Sequence, residues 1–309
     1  RSTLFPYTTL FRSPYSTQDG YTVWVNSKAL TLAGIDAARV DGAIEGELAT
    51  RVRQHLPQPT EAEYREALKQ ATAMANSFGI TSVFEASASP IVLDAYRAAE
   101  LAGELTVRVV AAQRIDVSRG VEAIGERVKR RDSLHGRLLR ADAAKIFLDG
   151  GTFSGHTAAL LEPYADRPDS TGTLEVQRDQ LNLVVRALDA AGFLIHMHAL
   201  GDRAVRVGLD ALEHATIANG PRDRRHQLAH VGLAHPDDIA RFGRLGVVAN
   251  FHPIWFESAA PAAPDASALG AERSRVLYPM EDVAAAGGRI IARSDCYMEI
   301  GRASCRERV

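Results

Sequence analysis

Residues 193–231 read FLIHMHALGDRAVRVGLDALEHATIANGPRDRRHQLAHV, and this stretch decides the fold. The apolar run Phe193–His198 predicts a β-strand, Asp202–Asn219 has helical spacing, and Gln227–Val231 is again short and apolar. A strand, a helix and a strand in this order indicate a βα unit with parallel strands.

The same alternation continues on both sides of this unit. Further helices are predicted at Thr60–Phe78, Pro90–Ala102, Val117–Arg131, Val176–Ala191, Pro236–Leu245 and Arg275–Ala286, and further strands at Ile80–Phe84, Leu105–Ala112, Ala143–Leu148, Val247–Asn250 and Arg289–Ser294. About seven strands suit an α/β fold of the (β/α)8 TIM-barrel type that lacks one strand. An open doubly wound sheet is the alternative, but no glycine-rich phosphate loop follows a first strand.

Composition excludes several classes of protein. The chain has 309 residues, of which 46% are hydrophobic and 24% charged, as in ordinary globular proteins. No apolar run reaches the roughly 18 residues of a membrane-spanning helix. A formal charge of −2 gives no reason to expect nucleic acid or an anionic membrane as partner. Two cysteines argue against a disulfide framework.

The two ends, residues 1–13 and 300–309, are predicted not to belong to the natural protein. One short DNA sequence encodes Thr3–Ser13, and its reverse complement, read from the third base, encodes Ile300–Val309. This DNA is similar to a common sequencing-library adapter, and such segments are excluded before fold reasoning. The protein-derived part is then Pro14–Glu299. A signal peptide would lie upstream of it, so a cytoplasmic location is favoured but open.

Histidines mark a candidate site. Seven of the ten lie between His196 and His252, and His196 and His198 end one apolar strand. Residues i and i+2 of a strand share a face, and barrel sites lie at the carboxyl ends of strands. Two neutral imidazoles there suit a divalent metal, although one structural and one exposed histidine explain the pattern equally well. His230 ends the next strand and favours the metal.

Asp295 and Lys145 also end or occupy apolar strands. Asp295 follows RIIARS, where a turn or helix-cap role is the simpler explanation for an isolated aspartate. Because two earlier strands carry histidines, the role of metal ligand and proton carrier is favoured for Asp295. Lys145 lies within AAKIFLDGG, and a buried lysine can become nucleophilic and take up CO2 as a carbamate. An ion pair of Lys145 with Asp149 or Asp295 is the alternative, and spacing alone favours it.

Read together, these residues resemble the amidohydrolase superfamily, and within it amidohydrolase family 3, the branch that contains N-substituted formamide deformylase. The segments that carry the resemblance are Asp19–Ile35 (DGYTVWVNSKALTLAGI), Lys145–Tyr164 (KIFLDGGTFSGHTAALLEPY), His196–Val205 (HMHALGDRAV) and Arg289–Asp295 with the preceding Arg273–Tyr278. The third is the most specific. Departures from the family pattern occur at Tyr21, Ala229, His252, Arg293 and Cys296.

The resemblance implies a domain organisation and a ligand set. Residues 14–59 correspond to a family insertion and residues 60–299 to a partial barrel of the metal-dependent hydrolase type. The implied metal ligands are Lys145, His198, His230 and Asp295, and Lys145 can bind in its carbamate form. The family's first-strand H-x-H and its small β-domain are expected outside Pro14–Glu299, so this stretch alone is expected to be inactive.

The implied activity is hydrolysis of a non-peptide amide or related C–N bond in a small molecule, with one or two Zn2+ ions. Asp295 would carry the proton between the attacking water and the leaving nitrogen. His196, His252, Trp255 and His156 are candidates for shaping the substrate pocket, and Asp202 is either a helix cap or a support for a ligand. A deaminase or isomerase on the same barrel and a non-catalytic binding barrel are the alternatives. Oligomeric state stays open.

Overall fold

The computed structural model describes residues 15–16, 23–36, 43–44, 46–55, 59–253, 255–256 and 264–294. The chain divides into two compact units, residues 1–59 and 60–309. The predicted adapter-derived ends and Asp295 lie outside the described residues.

The first unit contains a small antiparallel sheet and two helices. Its strands, in the order β1-β2-β3, are β1 (Tyr15–Ser16), β2 (Val23–Trp24) and β3 (Ala43–Ile44). Asn26 caps α1 (Ser27–Leu32) by accepting the amide of Ala29 at 2.9 Å, and α2 (Gly46–Arg53) follows β3. The unit has its own apolar core, formed by Val23, Ala29, Leu30, Ala33, Ile44, Ala49 and Val52.

The second unit is built on seven parallel strands. They are β4 (Ser82–Ala88), β5 (Arg108–Arg114), β6 (Leu139–Phe147), β7 (Leu194–Ala199), β8 (Gln227–His230), β9 (Val248–Phe251) and β10 (Arg289–Ala292). They pair in the order β10-β9-β8-β7-β6-β5-β4, so each strand lies beside its neighbours in sequence. A doubly wound sheet requires a reversal of strand order, and this sheet has none. The order is that of a (β/α)8 barrel.

The sheet is strongly curled. In a flat sheet, six spacings of about 4.8 Å would separate the edge strands by about 29 Å. Instead the guanidinium carbon of Arg293, directly after β10, lies 4.1 Å from the centroid of the Phe84 ring in β4. Side chains cannot bridge the flat distance, so the two edge strands approach each other as in an incomplete barrel. The predicted fold class is confirmed.

The helices of this unit begin and end where local chemistry requires. They are α3 (Glu61–Ser77), α4 (Pro90–Leu101), α5 (Ile124–Ser133), α6 (Arg178–Ala190), α7 (Asp202–Asn219), α8 (Pro236–Leu245), α9 (Pro264–Leu269), α10 (Ala271–Ser274) and α11 (Met280–Ala285). Thr60 caps α3 and forms a capping box with Glu63. In the part of the chain that is described, no helix combines the length and apolarity needed to cross a membrane.

Two predicted helices are broken in the structure. The helix predicted over Val117–Arg131 starts as two short 3-10 turns, because Gly120 between them has a φ of 68°. The helix predicted over Arg275–Ala286 is wrong in its first half. Pro279 has no N–H and disfavours helical backbone at the preceding residue, Tyr278, so α11 begins only at Met280.

The helices pack on the sheet through an apolar core. Its largest cluster joins α6, α7 and α8 to the side chains of β6 to β9 that face these helices. Ile146, Ile195, Leu209, Leu228 and Phe242 are fully buried there. Full burial of one such side chain stabilises the fold by about 1.5–3 kcal/mol. This core fixes the strands whose carboxyl ends carry the predicted site.

A buried ion network lies at the opposite, amino-terminal ends of the strands. The carboxylate of Asp189, near the end of α6, accepts hydrogen bonds from Arg222 at 2.6 Å, Arg224 at 2.6 Å and Asn219 at 2.7 Å. His226 Nε2 lies 3.0 Å from Asp189, and its Nδ1 accepts the amide of Ile195 in β7. His226 is therefore a structural residue that links α6 to β7.

We expect Asp189→Asn to destabilise the fold by about 3–5 kcal/mol, because it leaves two arginines without their buried anion. Burial raises the pKa of Asp189, but the hydrogen bonds from His226, Arg224 and Asn219 outweigh burial and hold that pKa below its ordinary value. A depressed folded-state pKa stabilises the protein above the unfolded pKa of about 3.9, and this stabilisation is lost as the pH falls further. Urea unfolding from pH 3 to 7 measures both effects.

The control for this network is Asp223→Asn, which removes an exposed pair with Arg225. It should leave the unfolding midpoint nearly unchanged. Equal effects of the two substitutions would show that the Asp189 network does not stabilise the sheet.

Candidate metal centre

Strands β6, β7 and β8 place the candidate ligands at their carboxyl ends. In the register, Lys145 pairs with His196, Phe147 with His198, and Ala199 with His230. Side chains at i and i+2 share a face of a strand. The amine of Lys145 lies 4.6 Å from the centroid of the Phe147 ring, on the same face of β6. Lys145, His196 and His198 are all buried.

Three imidazoles lie in a row across this end of the sheet. The ring centroids of His198 and His230 are 4.4 Å apart, and those of His230 and His252 are also 4.4 Å apart. We call His198, His230 and His252 the imidazole row. His196 lies outside the row, with its Nδ1 3.1 Å from Gln227 Oε1 and its ring 5.1 Å from that of Phe84.

His196, His198 and His230 are held in the neutral form. Burial, reinforced by the positive charge of Lys145, lowers the pKa of His198 to about 3. Burial, with the neighbouring His198, His252 and Lys145, also takes the pKa of His230 well below its ordinary value. Burial and Lys145 do the same to the pKa of His196. Neutral imidazole is the form that binds metal ions.

His230 takes its place through an unusual backbone. Its φ is 75°, and that of the next residue, Val231, is 46°. Positive φ is rare for residues other than glycine and is a true outlier for a β-branched side chain. The amide of Val231 still donates to the carbonyl of Ala199 at 3.0 Å, so the turn remains attached to β7. Such strain is typical of functional sites.

Asp149, directly after β6, organises the surrounding loops. It is buried, and its Oδ2 accepts the amides of Ala159 and Gly201, both at 2.9 Å, while its Oδ1 accepts that of Leu200 at 3.0 Å. Burial raises the pKa of Asp149 to about 7, although these three amides oppose the rise. One carboxylate therefore joins the loop after β6 to the turn between β7 and α7.

The same carboxylate neighbours a predicted ligand. His198 Nε2 lies 3.4 Å from Asp149 Oδ1 and 3.1 Å from the carbonyl oxygen of Gly150. A carbonyl can only accept, so Nε2 carries the proton and Nδ1 keeps its lone pair. A hydrogen bond that fixes the tautomer in this way accompanies nearly every metal-binding histidine. The alternative pairing of Lys145 with Asp149 is wrong, since the described contacts of Asp149 are with backbone amides and His198.

The remaining predicted residues lie around this centre. Asp202 is the first residue of α7 and not its cap, which is Gly201; its Oδ1 accepts the amides of Leu161 and Arg203. His156 contacts Asp166 at 2.9 Å and the Tyr164 ring at 4.8 Å, within its own loop.

His252 and Trp255 lie beyond β9. The amide of Trp255 donates to the carbonyl of His252 at 3.0 Å, so the tryptophan lies in the turn that follows the imidazole row. Asp295 falls just past the last described residue, Ser294.

The described donors fit part of a metal site. His198 and His230 supply the neutral nitrogen ligands that zinc-type ions prefer. Within the described ranges, however, no three His, Cys, Asp or Glu side chains are grouped to hold one ion. Lys145 fits such an ion only as a carbamate, since an ammonium repels it. The ligand set therefore depends on Lys145 and Asp295, whose roles remain predictions.

Sequence reasoning missed the role of Asp149, which it considered only as a partner for Lys145. The available signal was its position. Asp149 ends an apolar strand and precedes two glycines, where a carboxylate can meet several loop amides. Gly201, which donates to Asp149, allows the close approach of the loops, because a Cβ on it would lie 2.1 Å from the carbonyl oxygen of Ala159.

We expect Asp149→Asn to lower the free energy of unfolding more than Asp202→Asn does, although both residues are buried and accept hydrogen bonds from loop amides. Asp149 uses both oxygens, and asparagine would turn one into a donor facing an amide. Each amide left without an acceptor destabilises the fold by about 1–3 kcal/mol. Asp202 uses only Oδ1, which asparagine retains, so its variant should change the free energy of unfolding little.

Denaturant unfolding of both variants measures this difference, and 15N NMR of the His198 ring reports its tautomer. Because the Gly150 carbonyl remains as acceptor, the Nε2–H form of His198 should be kept in both variants. Loss of that form in Asp149→Asn would show that the Asp149 carboxylate is also needed to fix the tautomer.

Comparison with known proteins agrees with this geometry. The sequence profile of amidohydrolase family 3 matches residues 13–302 of the chain. The chain belongs to the amidohydrolase family. The predicted family is thereby confirmed, whereas the resemblance to N-substituted formamide deformylase within it stays a prediction.

Among named relatives, the chain is 34% identical over 130 residues to the Arabidopsis thaliana protein LONG AFTER FAR-RED 3, covering 42% of this chain and 22% of that protein. It is 29% identical over 174 residues to YtcJ of Bacillus subtilis, a protein named as an amidohydrolase, covering 56% of this chain and 32% of YtcJ. The chain thus matches less than a third of the length of either relative.

Solved structures share the fold. An uncharacterised metal-dependent hydrolase from Pyrococcus furiosus aligns with a TM-score of 0.70 and 23% identity, over 90% of this chain and 57% of its own. A similarly described hydrolase from Pyrococcus horikoshii aligns with a TM-score of 0.72 and 21% identity, over 92% of this chain and 57% of its own. At these identities the alignments support the fold.

Proposed function

We propose that the protein is a metal-dependent hydrolase of a non-peptide amide or related C–N bond in a small molecule. The observation that carries the proposal is the imidazole row, in which His198 and His230 are held neutral at the carboxyl ends of parallel strands in an amidohydrolase. In barrels of this type, active sites lie at that end of the strands.

The residues divide into ligands and proton carriers. His198 and His230 hold the metal through neutral imidazole nitrogens, with Asp149 and the Gly150 carbonyl orienting His198. Lys145 joins them as a carbamate, and Asp295 as a carboxylate. These residues would hold one or two divalent ions, with Zn2+ the ion expected for such donors; when bound, the metal would supply a water with its pKa lowered toward about 7 and a polarised substrate carbonyl.

Asp295 carries the proton in this proposal. Its carboxylate takes the proton from the attacking water and delivers it to the leaving nitrogen, which departs as an amine. The walls of the substrate pocket are formed by His196, His252, Trp255 and His156. Of these, His252 is nearest to the proposed ligands through its ring contact with His230. Asp202 supports the loop that carries His156.

Metal binding tests the ligand assignment without requiring turnover. We expect His198→Ala and His230→Ala to weaken Zn2+ binding by more than roughly 100-fold, the upper figure for losing an outer hydrogen-bond partner of a metal site. Competition with a chromophoric chelator measures the affinity. His226→Gln, which removes a buried imidazole at the opposite end of the strands, is the matched control and should bind Zn2+ normally below its melting point.

Equal Zn2+ affinity in the wild type, His198→Ala and His230→Ala would overturn the assignment. A general loss in all three variants, His226→Gln included, would show that folding and not ligation sets the affinity.

The reaction class is tested by its products. Incubated with N-formyl and N-acetyl amines, the metal-loaded whole protein should release an amine and a carboxylic acid in equal amounts, and a chelator should abolish the release. Chromatography quantifies both products. Release of ammonia from an amino-substituted ring, without cleavage of N-acyl amines, would instead establish a deaminase.

A further inference from the structure

Arg293 occupies an unusual place for a charged residue. Its backbone amide donates to the carbonyl of Phe251 at 2.9 Å, which extends the β9–β10 ladder by one residue. Its guanidinium carbon lies 4.1 Å from the centroid of the Phe84 ring. This distance is typical of a cation–π contact. Stacking uses the flat face of the guanidinium and leaves its N–H edges available for hydrogen bonds.

Among the described residues, no acceptor contacts those edges. Arg293 Nη1 is buried, and within the described part of the chain it has no hydrogen-bond partner. Burial lowers the pKa of Arg293 to about 10, so the group stays charged at neutral pH. A buried charge without a partner is strongly unfavourable.

Other buried arginines of this protein are treated differently. Arg224 contacts Asp189 at 2.6 Å, and Arg241 contacts Asp238 at 2.9 Å. A guanidinium has five N–H donors arranged to bind a carboxylate through two of them. Arg293 has the same donors and no such anion.

The nearest carboxylate along β4 does not serve Arg293. Glu85 follows Phe84 directly, so its side chain points to the opposite face of the strand. Burial raises the pKa of Glu85, and its described contacts are with the amide of Ser87 and the side chain of Tyr96 in α4. The face of β4 that carries Phe84 therefore presents an aromatic ring and no charge.

Phe84 connects Arg293 to the candidate centre. Its ring also lies 5.1 Å from the ring of His196, which is two residues before His198 on the same face of β7. The charges of Lys145 and Arg293 both act on His196. The free donors of Arg293 therefore lie on the same side of the sheet as the imidazole row, in a region of positive potential.

We propose that Arg293 binds a carboxylate of the substrate, so that the substrates are amides that carry a carboxylate near the scissile bond. The inference rests on the proposed hydrolase function and narrows its substrate class. Arg293 is partly exposed, and its guanidinium carbon lies over the Phe84 ring. The sequence signal is Arg293 itself, noted above as a departure from the family pattern.

The test compares two ligands of nearly equal size, N-acetylglycine with its terminal carboxylate and N-acetylglycinamide with a neutral terminal amide, by isothermal titration. The wild type should bind N-acetylglycine about 10- to 100-fold more tightly, the range expected for charge-assisted hydrogen bonds. This preference should fall to within about threefold in Arg293→Gln and be partly kept in Arg293→Lys, which retains the charge but not the fork. Arg289→Gln, on the same strand but exposed and paired with Asp223, is the control and should keep the full preference.

Stability separates a binding role from a structural one. If Arg293 were structural, its replacement would destabilise the fold. If it binds an anion instead, Arg293→Gln removes a charge that lacks a partner, and the free energy of unfolding should stay unchanged or rise. Equal binding of both ligands by the wild type, or a preference that persists in Arg293→Gln, would overturn the proposal.

Binding and turnover fail independently in this design. Carboxylate preference without hydrolysis of any amide would refute the proposed reaction and leave the anion site standing. Hydrolysis of neutral amides alone, with no carboxylate preference, would refute the anion site and leave the reaction standing.

Discussion

Parallel pairing of β6, β7 and β8 in one unbroken order is the constraint on which the site depends. In this arrangement the carboxyl ends of neighbouring strands meet at one edge, and register fixes which side chains share a height. A slip of one residue in β7 would turn His196 and His198 to the opposite face, toward the helices. The buried core beneath the strands therefore determines the chemistry as well as the stability.

Stability and chemistry are placed at opposite ends of the strands. At the amino-terminal ends, Asp189 satisfies two arginines and a histidine, and this cluster can stabilise the fold because every charge has a partner. At the carboxyl ends, the positive groups Lys145 and Arg293 lie near neutral imidazoles, and the buried carboxylate of Asp149 is occupied by backbone amides. This end disfavours protonated histidine and favours ligands that bring negative charge.

Much of this organisation follows from sequence periodicity. The alternation of apolar strands and helices predicts the barrel, and His196, His198 and His230 lie at strand ends as predicted, because period-two spacing and strand length are local properties. The role of Asp149 could not be predicted in the same way, because its three amide donors come from residues 10, 51 and 52 positions away. The contact of Arg293 with Phe84 also requires the curl of the sheet, which no local pattern specifies. Asp295 lies beyond the described residues, so its role stays a prediction.

The turn after β8 shows how the fold sustains a strained ligand. Positive φ at His230 and Val231 destabilises the isolated turn, so the surroundings must hold it. Val231 is fully buried and donates its amide to Ala199, and Gly232 accepts the amide of Tyr278 at 2.7 Å. A Cβ on Gly232 would lie 2.6 Å from Leu200 and 3.0 Å from Phe153, so only glycine fits between these side chains. Leu200 and Gly201 also donate to Asp149, so one continuous set of contacts positions both His198 and His230. Because relaxing the turn would break contacts on either side, the strain persists, and these contacts maintain the spacing of the two imidazoles.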